Sequence, residues 1–165
     1  MKSIILKSIL LLLFSSLLFT QNKEELSKDM NTDFIHWYGQ AAFRIEDGKT
    51  QIYIDPFRLP DSIEFKADII FITHAHMDHF SPDDIEKIRK KTTIFIATED
   101  VAKKLKDSVI TIKPSETIEI RNIKVEAVPA YNINKNFHPR ANNWIGYVIK
   151  LANGLSVYHA GDTDA

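Results

Sequence analysis

The sequence contains no cysteine, and this absence removes several possibilities at once. Among its 165 residues there is no Cys, so no disulfide stabilises the chain and no thiol can carry a lipoprotein anchor. An excess of positive charge is also missing, because 21 Lys and Arg stand against 22 Asp and Glu, a formal net charge of -1. Proteins that bind nucleic acid neutralise phosphates with basic residues, so we expect no nucleic-acid partner. The 44% hydrophobic and 26% charged residues are typical of a globular protein.

The first twenty residues differ from the rest of the chain. Lysines precede and interrupt an apolar run from Ile4 to Phe19, and strongly polar residues follow it. This layout predicts a secretory signal peptide over residues 1–20, a polar linker over residues 21–32, and export to the periplasm or the medium. The apolar run is shorter than the about 20 residues that span a membrane, so no stable span is expected after signal removal. An uncleaved signal anchor stays an alternative, because Phe19-Thr20 is an imperfect cleavage site.

The remaining sequence alternates strand-type and helix-type segments, without an internal repeat. Apolar patterning predicts strands over 34–38, 42–46, 51–55, 68–73, 93–97, 109–113, 117–120, 123–128, 144–150 and 155–159. Ser81-Pro82 predicts the start of one helix, and residues 99–106 predict a second. Asp47-Gly48 between two strands predicts a type I′ hairpin turn.

Residue types that bind metals are concentrated after one of these strands. An apolar strand ends at Thr73, and four candidate ligands follow it, namely His74, His76, Asp78 and His79. Side chains alternate between the faces of a strand, so the first two histidines leave it on the same side, and the following turn can bring the others back. Imidazoles and a carboxylate suit zinc, iron or manganese. A polar loop whose histidines cluster without binding an ion is the structural alternative.

The pattern His-x-His-x-Asp-His after a core strand resembles the signature of the metallo-β-lactamase superfamily. The similarity extends upstream to residues 35–43 and 52–56, and downstream to Val128-Pro129-Ala130-Tyr131-Asn132, Phe137-His138-Pro139 and Tyr158-His159-Ala160-Gly161-Asp162. These segments are similar to the branch containing ascorbate-phosphate lactonase-like and N-acylphosphatidylethanolamine phospholipase-like hydrolases. The resemblance implies an α/β layered fold, the αββα sandwich, of which residues 33–165 would hold the first half and the start of the second.

The resemblance also implies a site for two metal ions. His74, His76 and His138 would bind the first ion, Asp78 and His79 the second, and Asp162 would bridge them. Zinc is expected, two ions per complete site, with manganese or iron possible. A hairpin over residues 144–159 could bring His138 and Asp162 together. As alternatives, His138 is an ordinary turn histidine and Asp162 caps a turn.

Two features depart from the family pattern. Gln40 stands where relatives often have a histidine, and no histidine follows Asp162 to complete the second site. His36 precedes the site and His159 alternates away from the strand end, so neither is a substitute. We therefore expect the sequence to be a C-terminally truncated version of a longer enzyme. The absence of cysteine excludes the cysteine zinc ligand that some relatives use.

The implied chemistry is hydrolysis of a small-molecule substrate. Paired cations lower the pKa of a shared water and polarise a substrate oxygen, here on an ester, lactone or phosphodiester-type bond. Asp78 is the expected catalytic residue, because its carboxylate can orient the nucleophile while it faces the cations. Trp37 and Tyr131 either line the pocket or belong to the core. One alternative is an inactive truncated remnant that binds one metal and has a binding or structural role. Another is an iron-dependent oxidoreductase on the same fold. The sequence does not predict the oligomeric state.

Overall fold

Ten strands form two sheets within residues 32–164, the part of the chain that this computed structural model describes. The predicted signal peptide and nearly all of the predicted linker lie outside the described residues. The strands are β1 (Ile35–Gly39), β2 (Ala42–Asp47), β3 (Thr50–Ile54), β4 (Ile69–Ile72), β5 (Ile94–Ala97), β6 (Val109–Thr111), β7 (Thr117–Ile120), β8 (Ile123–Pro129), β9 (Ile145–Lys150) and β10 (Ser156–His159). The helices are α1 (Pro82–Ile88) and α2 (Glu99–Ala102), and a 3₁₀ turn covers Arg140–Asn142.

The first sheet has the order β1-β2-β3-β4-β5-β6. It is antiparallel from β1 to β3 and parallel from β3 to β6. Every residue of β4 is buried, because one face of this strand packs on the second sheet and the other packs under the helices. Burial on both faces explains why β4 is a continuous apolar run rather than an alternating one.

The second sheet is antiparallel throughout, in the order β10-β9-β8-β7. β8 alternates buried and exposed side chains, and its buried residues join the core between the sheets. The described residues thus form one helix layer and two sheets, which confirms the predicted α/β layered fold. Among these residues, no helix has the length and apolar character that crossing a membrane requires.

Tyr147 joins the two sheets at the centre of the core. Its ring lies 4.9 Å from that of Phe71, centroid to centroid. Its hydroxyl donates within 2.9 Å of the carbonyl oxygen of Ile72 and lies 3.2 Å from that of Ile96. Complete burial raises the pKa of this phenol well above its usual value, so the hydroxyl stays protonated as a donor.

Helix α1 begins as the sequence predicts. The Ser81 hydroxyl accepts a hydrogen bond from the backbone N–H of Asp84, and Pro82 occupies the first turn. The Asp84 carboxylate accepts bonds from the backbone N–H groups of Arg58 and Leu59, at 2.8 and 3.1 Å. These bonds fix the chain where it leaves the histidine motif.

Helix α2 is shorter than the predicted segment 99–106. It ends at Ala102, and the backbone N–H groups of Lys104 and Leu105 both bond to the carbonyl of Val101. After Ala102, Lys103, Lys104 and Lys106 are exposed, and Leu105 between them is only half-buried. Helical stability comes mostly from packing of an apolar face, so the helix ends where that face ends.

The turn between β2 and β3 differs from the predicted type I′ turn at Asp47-Gly48. Asp47 pairs with Thr50, so the turn residues are Gly48 and Lys49. Only Gly48 has a positive φ, of 60°, whereas a type I′ turn needs two such residues and type II′ needs one at its first position. Asp47 is retained in the strand, where its carboxylate accepts a bond from the backbone N–H of Ala152.

The loops that carry the candidate ligands meet at one edge of the two sheets. The carboxyl ends of parallel β4 and β5 lie there, beside the end of β8, the start of β9 and the end of β10. A hydrogen bond of 3.4 Å from the N–H of Ile145 to the carbonyl of Thr73 joins the sheets at this edge. Gly146 is required here, because a Cβ atom on it would lie 2.5 Å from the carbonyl oxygen of His159.

Candidate metal centre

Three imidazoles converge at this edge. His74 and His76 follow β4, and His138 comes from the loop between β8 and β9. The Nδ1 atom of His76 lies 3.0 Å from His74 Nε2 and 3.2 Å from His138 Nε2. One nitrogen of each ring thus points to a common centre, with all three within 4.8 Å of one another.

Asp162 connects this group to His79. Its Oδ2 atom lies 3.9 Å from His74 Nε2 and 3.4 Å from His138 Nε2. Its Oδ1 atom lies 3.1 Å from His79 Nε2. The carboxylate therefore presents one oxygen to each side, which is the arrangement of a bridging ligand and not only of a turn cap.

Asp78 lies at the open side of the cluster. Its Oδ2 atom is 3.8 Å from His79 Nε2, and the side chain is 42% exposed. The structure thus brings together all six predicted ligands, His74, His76, Asp78, His79, His138 and Asp162.

Side-chain hydrogen bonds bring the loop of His138 to the segment of Asp162. The Thr163 hydroxyl donates to the carbonyl of Tyr131 at 2.9 Å. The Asp164 carboxylate accepts from the N–H of Ile133, also at 2.9 Å. The hairpin of β9 and β10 supplies the framework, as the sequence predicts, and these two bonds close the distance.

Asp55 and Thr73 support the buried histidines from below. Asp55, fully buried after β3, accepts bonds from the backbone N–H and the hydroxyl of Thr73, at 2.8 and 2.7 Å. Its Oδ2 atom also lies 2.8 Å from His79 Nδ1. The Thr73 hydroxyl has donated its hydrogen, so it accepts from His74 Nδ1 at 3.0 Å. Both rings are thereby held with Nδ1 protonated, and a neutral ring presents the Nε2 lone pair to the cluster.

The pKa values within the cluster diverge. Burial, aided by the neighbouring His79, lowers the pKa of His74 to about 4. Burial also lowers the pKa of His79, but its hydrogen bonds to Asp162 and Asp55 outweigh this effect and raise the pKa to about 10. The bond from His79 lowers the pKa of Asp162 to about 2. At neutral pH His74 and Asp162 are therefore ready to bind a cation, whereas His79 must release a proton first.

Trp144 packs against the three converging imidazoles. Its ring centroid lies 4.7, 4.6 and 5.2 Å from those of His74, His76 and His138. Its Nε1–H donates to Asp100 at 2.9 Å, and the same Oδ2 atom lies 3.3 Å from the backbone N of Ala75. Asp100 thus links the wall of the cluster to the segment between the first two histidines.

Sequence reasoning missed these supporting residues. Asp55 carries a usable signal, because an acid directly after a buried strand, next to the strand of the histidine motif, indicates a partner for that motif. Asp100 and Trp144 carry none, since one lies in a short helix and the other precedes a strand.

The remaining candidates lie around the cluster. Trp37 is 67% exposed, so the alternative that it belongs to the core is wrong. Its Nε1–H donates to the carbonyl of Gln40. Tyr131 is half-buried and lines an open cavity of about 230 Å³ with Arg140 and Trp144. His36 contacts Glu46 instead of the ligands.

His159 supports two backbone segments and not the ligands. Its Nε2 lies 2.9 Å from the carbonyl oxygen of Ala41, and its Nδ1 accepts from the N–H of Gly161 at 3.3 Å. It therefore ties the β1–β2 turn to the segment that carries Asp162.

The fold and this ligand geometry together define the class of protein. Residues 34–165 match the model of the Beta-lactamase superfamily domain, and the chain belongs to that family. The predicted membership of the metallo-β-lactamase superfamily is confirmed.

The chain is similar to individual members of this family and to solved structures. The chain is 35% identical over 139 residues to a UPF0173 metal-dependent hydrolase of Thermoplasma acidophilum, an alignment covering 78% of this chain and 60% of that protein. A crystal structure from Parabacteroides distasonis, of a protein described as a metal-dependent hydrolase, has a TM-score of 0.73 and 36% identity, covering 78% of this chain and 60% of that one. The diiron β-hydroxylase CmlA of Streptomyces venezuelae, with a TM-score of 0.60, 17% identity and coverage of 78% and 29%, shares the fold alone. The chain spans 60% of the length of the first curated relative.

Proposed function

We propose that this chain acts as a metal-dependent hydrolase with a centre for two divalent cations, zinc in the first instance. The observation that carries the proposal is the convergence of His74, His76 and His138 on one side of Asp162, with His79 on the other. Relatives named as metal-dependent hydrolases support it.

The residues present fit such a centre. Each of the buried histidines donates its Nδ1–H to a supporting oxygen, so in the neutral ring the Nε2 lone pair faces the cluster. The donor set of imidazoles and carboxylates is the one that zinc, manganese and iron use. We propose that the three converging histidines hold a first ion, that Asp78 and His79 hold a second, and that Asp162 bridges them.

The side chains around the centre suggest how a substrate would be processed. Bound there, the cations would acidify a water molecule and polarise the oxygen of an ester, lactone or phosphodiester-type bond. Asp78 lies on the exposed side of the cluster, where its carboxylate can accept and hold a proton from an incoming nucleophile. Trp144 covers the imidazoles and limits water on its side. The cavity lined by Tyr131 and Arg140 offers space for a small molecule beside them.

Metal content and hydrolysis test this proposal together. We would measure metal per chain by elemental analysis in the full chain, in His76→Ala and in His36→Ala, and screen each against ester, lactone and phosphodiester substrates. The proposal expects two equivalents and hydrolysis in the parent, loss of both in His76→Ala, and no change in His36→Ala, whose ring lies on Glu46. Equal metal content in all three proteins would overturn it.

A second candidate is a protein that binds one ion in a structural or binding role. The asymmetry of the cluster favours it, because three imidazoles converge tightly whereas Asp78 bonds to Gln40. One equivalent of metal, a higher melting temperature with that metal, and no hydrolysis in the screen would support this candidate over the hydrolase.

We also propose that the protein is exported. The apolar run after the N-terminal lysines supports this proposal. Mass spectrometry of protein recovered from the medium or periplasm should show a mature N-terminus near residue 21, and an unprocessed cytoplasmic product would contradict the proposal.

A further inference from the structure

Gln40 occupies a fixed position in the turn between β1 and β2. Its φ of 48° lies in the left-handed region, which costs free energy in a residue with a side chain. Two side chains hold this turn, because Trp37 Nε1 bonds to the carbonyl of Gln40 and His159 Nε2 to that of Ala41. A strained conformation that persists under such constraint indicates a role for the side chain it directs.

The amide of Gln40 reaches both predicted ligands of the second ion. Its Nε2 atom donates to Asp78 Oδ2 at 2.8 Å and lies 3.3 Å from His79 Nε2. Two atoms bound to one cation at about 2.1 Å lie about 3.0–3.4 Å apart. The distances from the Gln40 amide to Asp78 and His79 are therefore close to those between two ligands of one ion.

An amide offers a donor and an acceptor at the same end. A half-turn of the group exchanges nitrogen for oxygen with almost no change of shape. Without a cation, the Asp78 carboxylate is an acceptor, and the NH₂ group donates to it. With a cation between Asp78 and His79 an acceptor is required, and the oxygen takes that place.

We propose that Gln40 binds the second metal ion through its amide oxygen. This inference rests on the proposed two-ion centre and extends it, because the second position then receives one nitrogen, from His79, and oxygens from Asp78, Asp162 and Gln40. The first position receives three imidazole nitrogens. Carboxylate and carbonyl oxygens favour harder ions than imidazoles do, so the second position selects a harder cation, such as Mn²⁺, while the first takes Zn²⁺.

Manganese binding to the zinc-loaded protein tests the inference. The full chain would be loaded with one equivalent of Zn²⁺ and titrated with Mn²⁺, with free Mn²⁺ followed by electron paramagnetic resonance. Gln40→Gly removes the amide and suits the positive φ, and we expect it to weaken Mn²⁺ binding about tenfold. Gln40→Glu keeps the length and offers only oxygens, and we expect it to bind Mn²⁺ more tightly than the parent.

The matched control is Asn122→Gly. Asn122 also lies in a hairpin turn with a positive φ, of 66°, between β7 and β8. We expect this variant to bind Mn²⁺ like the parent, and circular dichroism should show that all variants are folded. Unchanged Mn²⁺ affinity in Gln40→Gly would overturn the inference, and tighter binding would mean that the amide competes with the cation.

The two proposals fail in different ways. If His76→Ala keeps its Zn²⁺, the metal centre itself is wrong. If His76→Ala loses Zn²⁺ while Gln40→Gly binds Mn²⁺ as the parent does, the centre stands and only the role of Gln40 is overturned.

Discussion

The cluster of candidate ligands has a base and a rim that are held in different ways. The base consists of Asp55, Thr73, His74 and His79, all at most 1% exposed and joined by hydrogen bonds beneath the ligands. The rim consists of His76, Asp78, His138 and Asp162, of which Asp78 is 42% and Asp162 31% exposed. Packing fixes the base, and the rim is carried by loops whose ligand atoms crowd one another. We therefore expect the base to form on folding and the rim to gain its order on cation binding.

The largest effect is expected from the base. Asp55→Ala leaves Thr73 and His79 with buried donors that have no acceptor, so we expect the free energy of unfolding to fall by about 3 kcal/mol. Asp162→Ala, in the rim, should cost less, about 1 kcal/mol in the metal-free protein, because the carboxylate is partly exposed and solvent screens its bond to His79. Urea denaturation with a chelator present measures both values, and equal losses would remove the distinction between base and rim.

Substitutions in the rim should lower metal affinity strongly while leaving the stability of the metal-free protein almost unchanged. His138→Ala removes a convergent nitrogen without disturbing the core, so we expect Zn²⁺ affinity to fall by more than about 100-fold and metal-free stability to stay near that of the parent. Competition with a chromophoric chelator measures the affinity. His36→Ala is the control, and an equal fall in that variant would point to a general effect of losing a histidine.

A smaller effect on metal affinity is expected at Trp144, whose ring packs against imidazoles of both the base and the rim. Trp144→Phe keeps an aromatic ring against the imidazoles but removes the donor to Asp100, so the segment at Ala75 is held less firmly. We expect Zn²⁺ affinity to fall about tenfold. Asp100→Asn should give a similar loss of affinity in the same chelator assay. No loss in either variant would show that the histidines keep their positions without the bond between Trp144 and Asp100.

The smallest effect concerns acid stability outside the cluster. Burial raises the pKa of Asp84, but hydrogen bonds from Ser81, Lys87 and the Arg58 and Leu59 backbones outweigh this and lower it below its ordinary value. A lowered pKa in the folded state stabilises the protein above about pH 4, and this contribution is lost as pH falls through the folded pKa. Asp84→Asn should thus lower stability by about 1 kcal/mol at pH 7.

Denaturation at several pH values tests this expectation. The difference between the parent and Asp84→Asn should shrink below pH 4. A difference that does not depend on pH would show that packing, and not the charge of Asp84, is responsible.

The sequence predicted what depends on local pattern. The strands follow from residue alternation, the Ser81-Pro82 helix start from capping, and the cluster of candidate ligands at residues 74–79 from its spacing after a strand. His138 and Asp162 were predicted as ligands only from the resemblance to the metallo-β-lactamase superfamily. The base could not be predicted in the same way, because Asp55 and His79 lie 24 residues apart and meet only when β3 pairs with β4. The length of α2 and the type of the β2–β3 turn were wrong for a related reason, since packing at Val101 and strand register at Asp47 decide them.

The rate at which the Tyr147 phenol ionises can report how fast the two sheets separate. Its hydroxyl is shared between carbonyls at the ends of β4 and β5, so hydroxide in the solvent cannot reach it while the sheets are in contact. After a jump to alkaline pH, exposed tyrosines ionise within the mixing time, and this phenol ionises only as fast as the sheets separate. Tyr53 is buried as well, so the slow phase of phenolate absorbance that Tyr147→Phe abolishes would report how fast the core opens directly beneath the histidine motif.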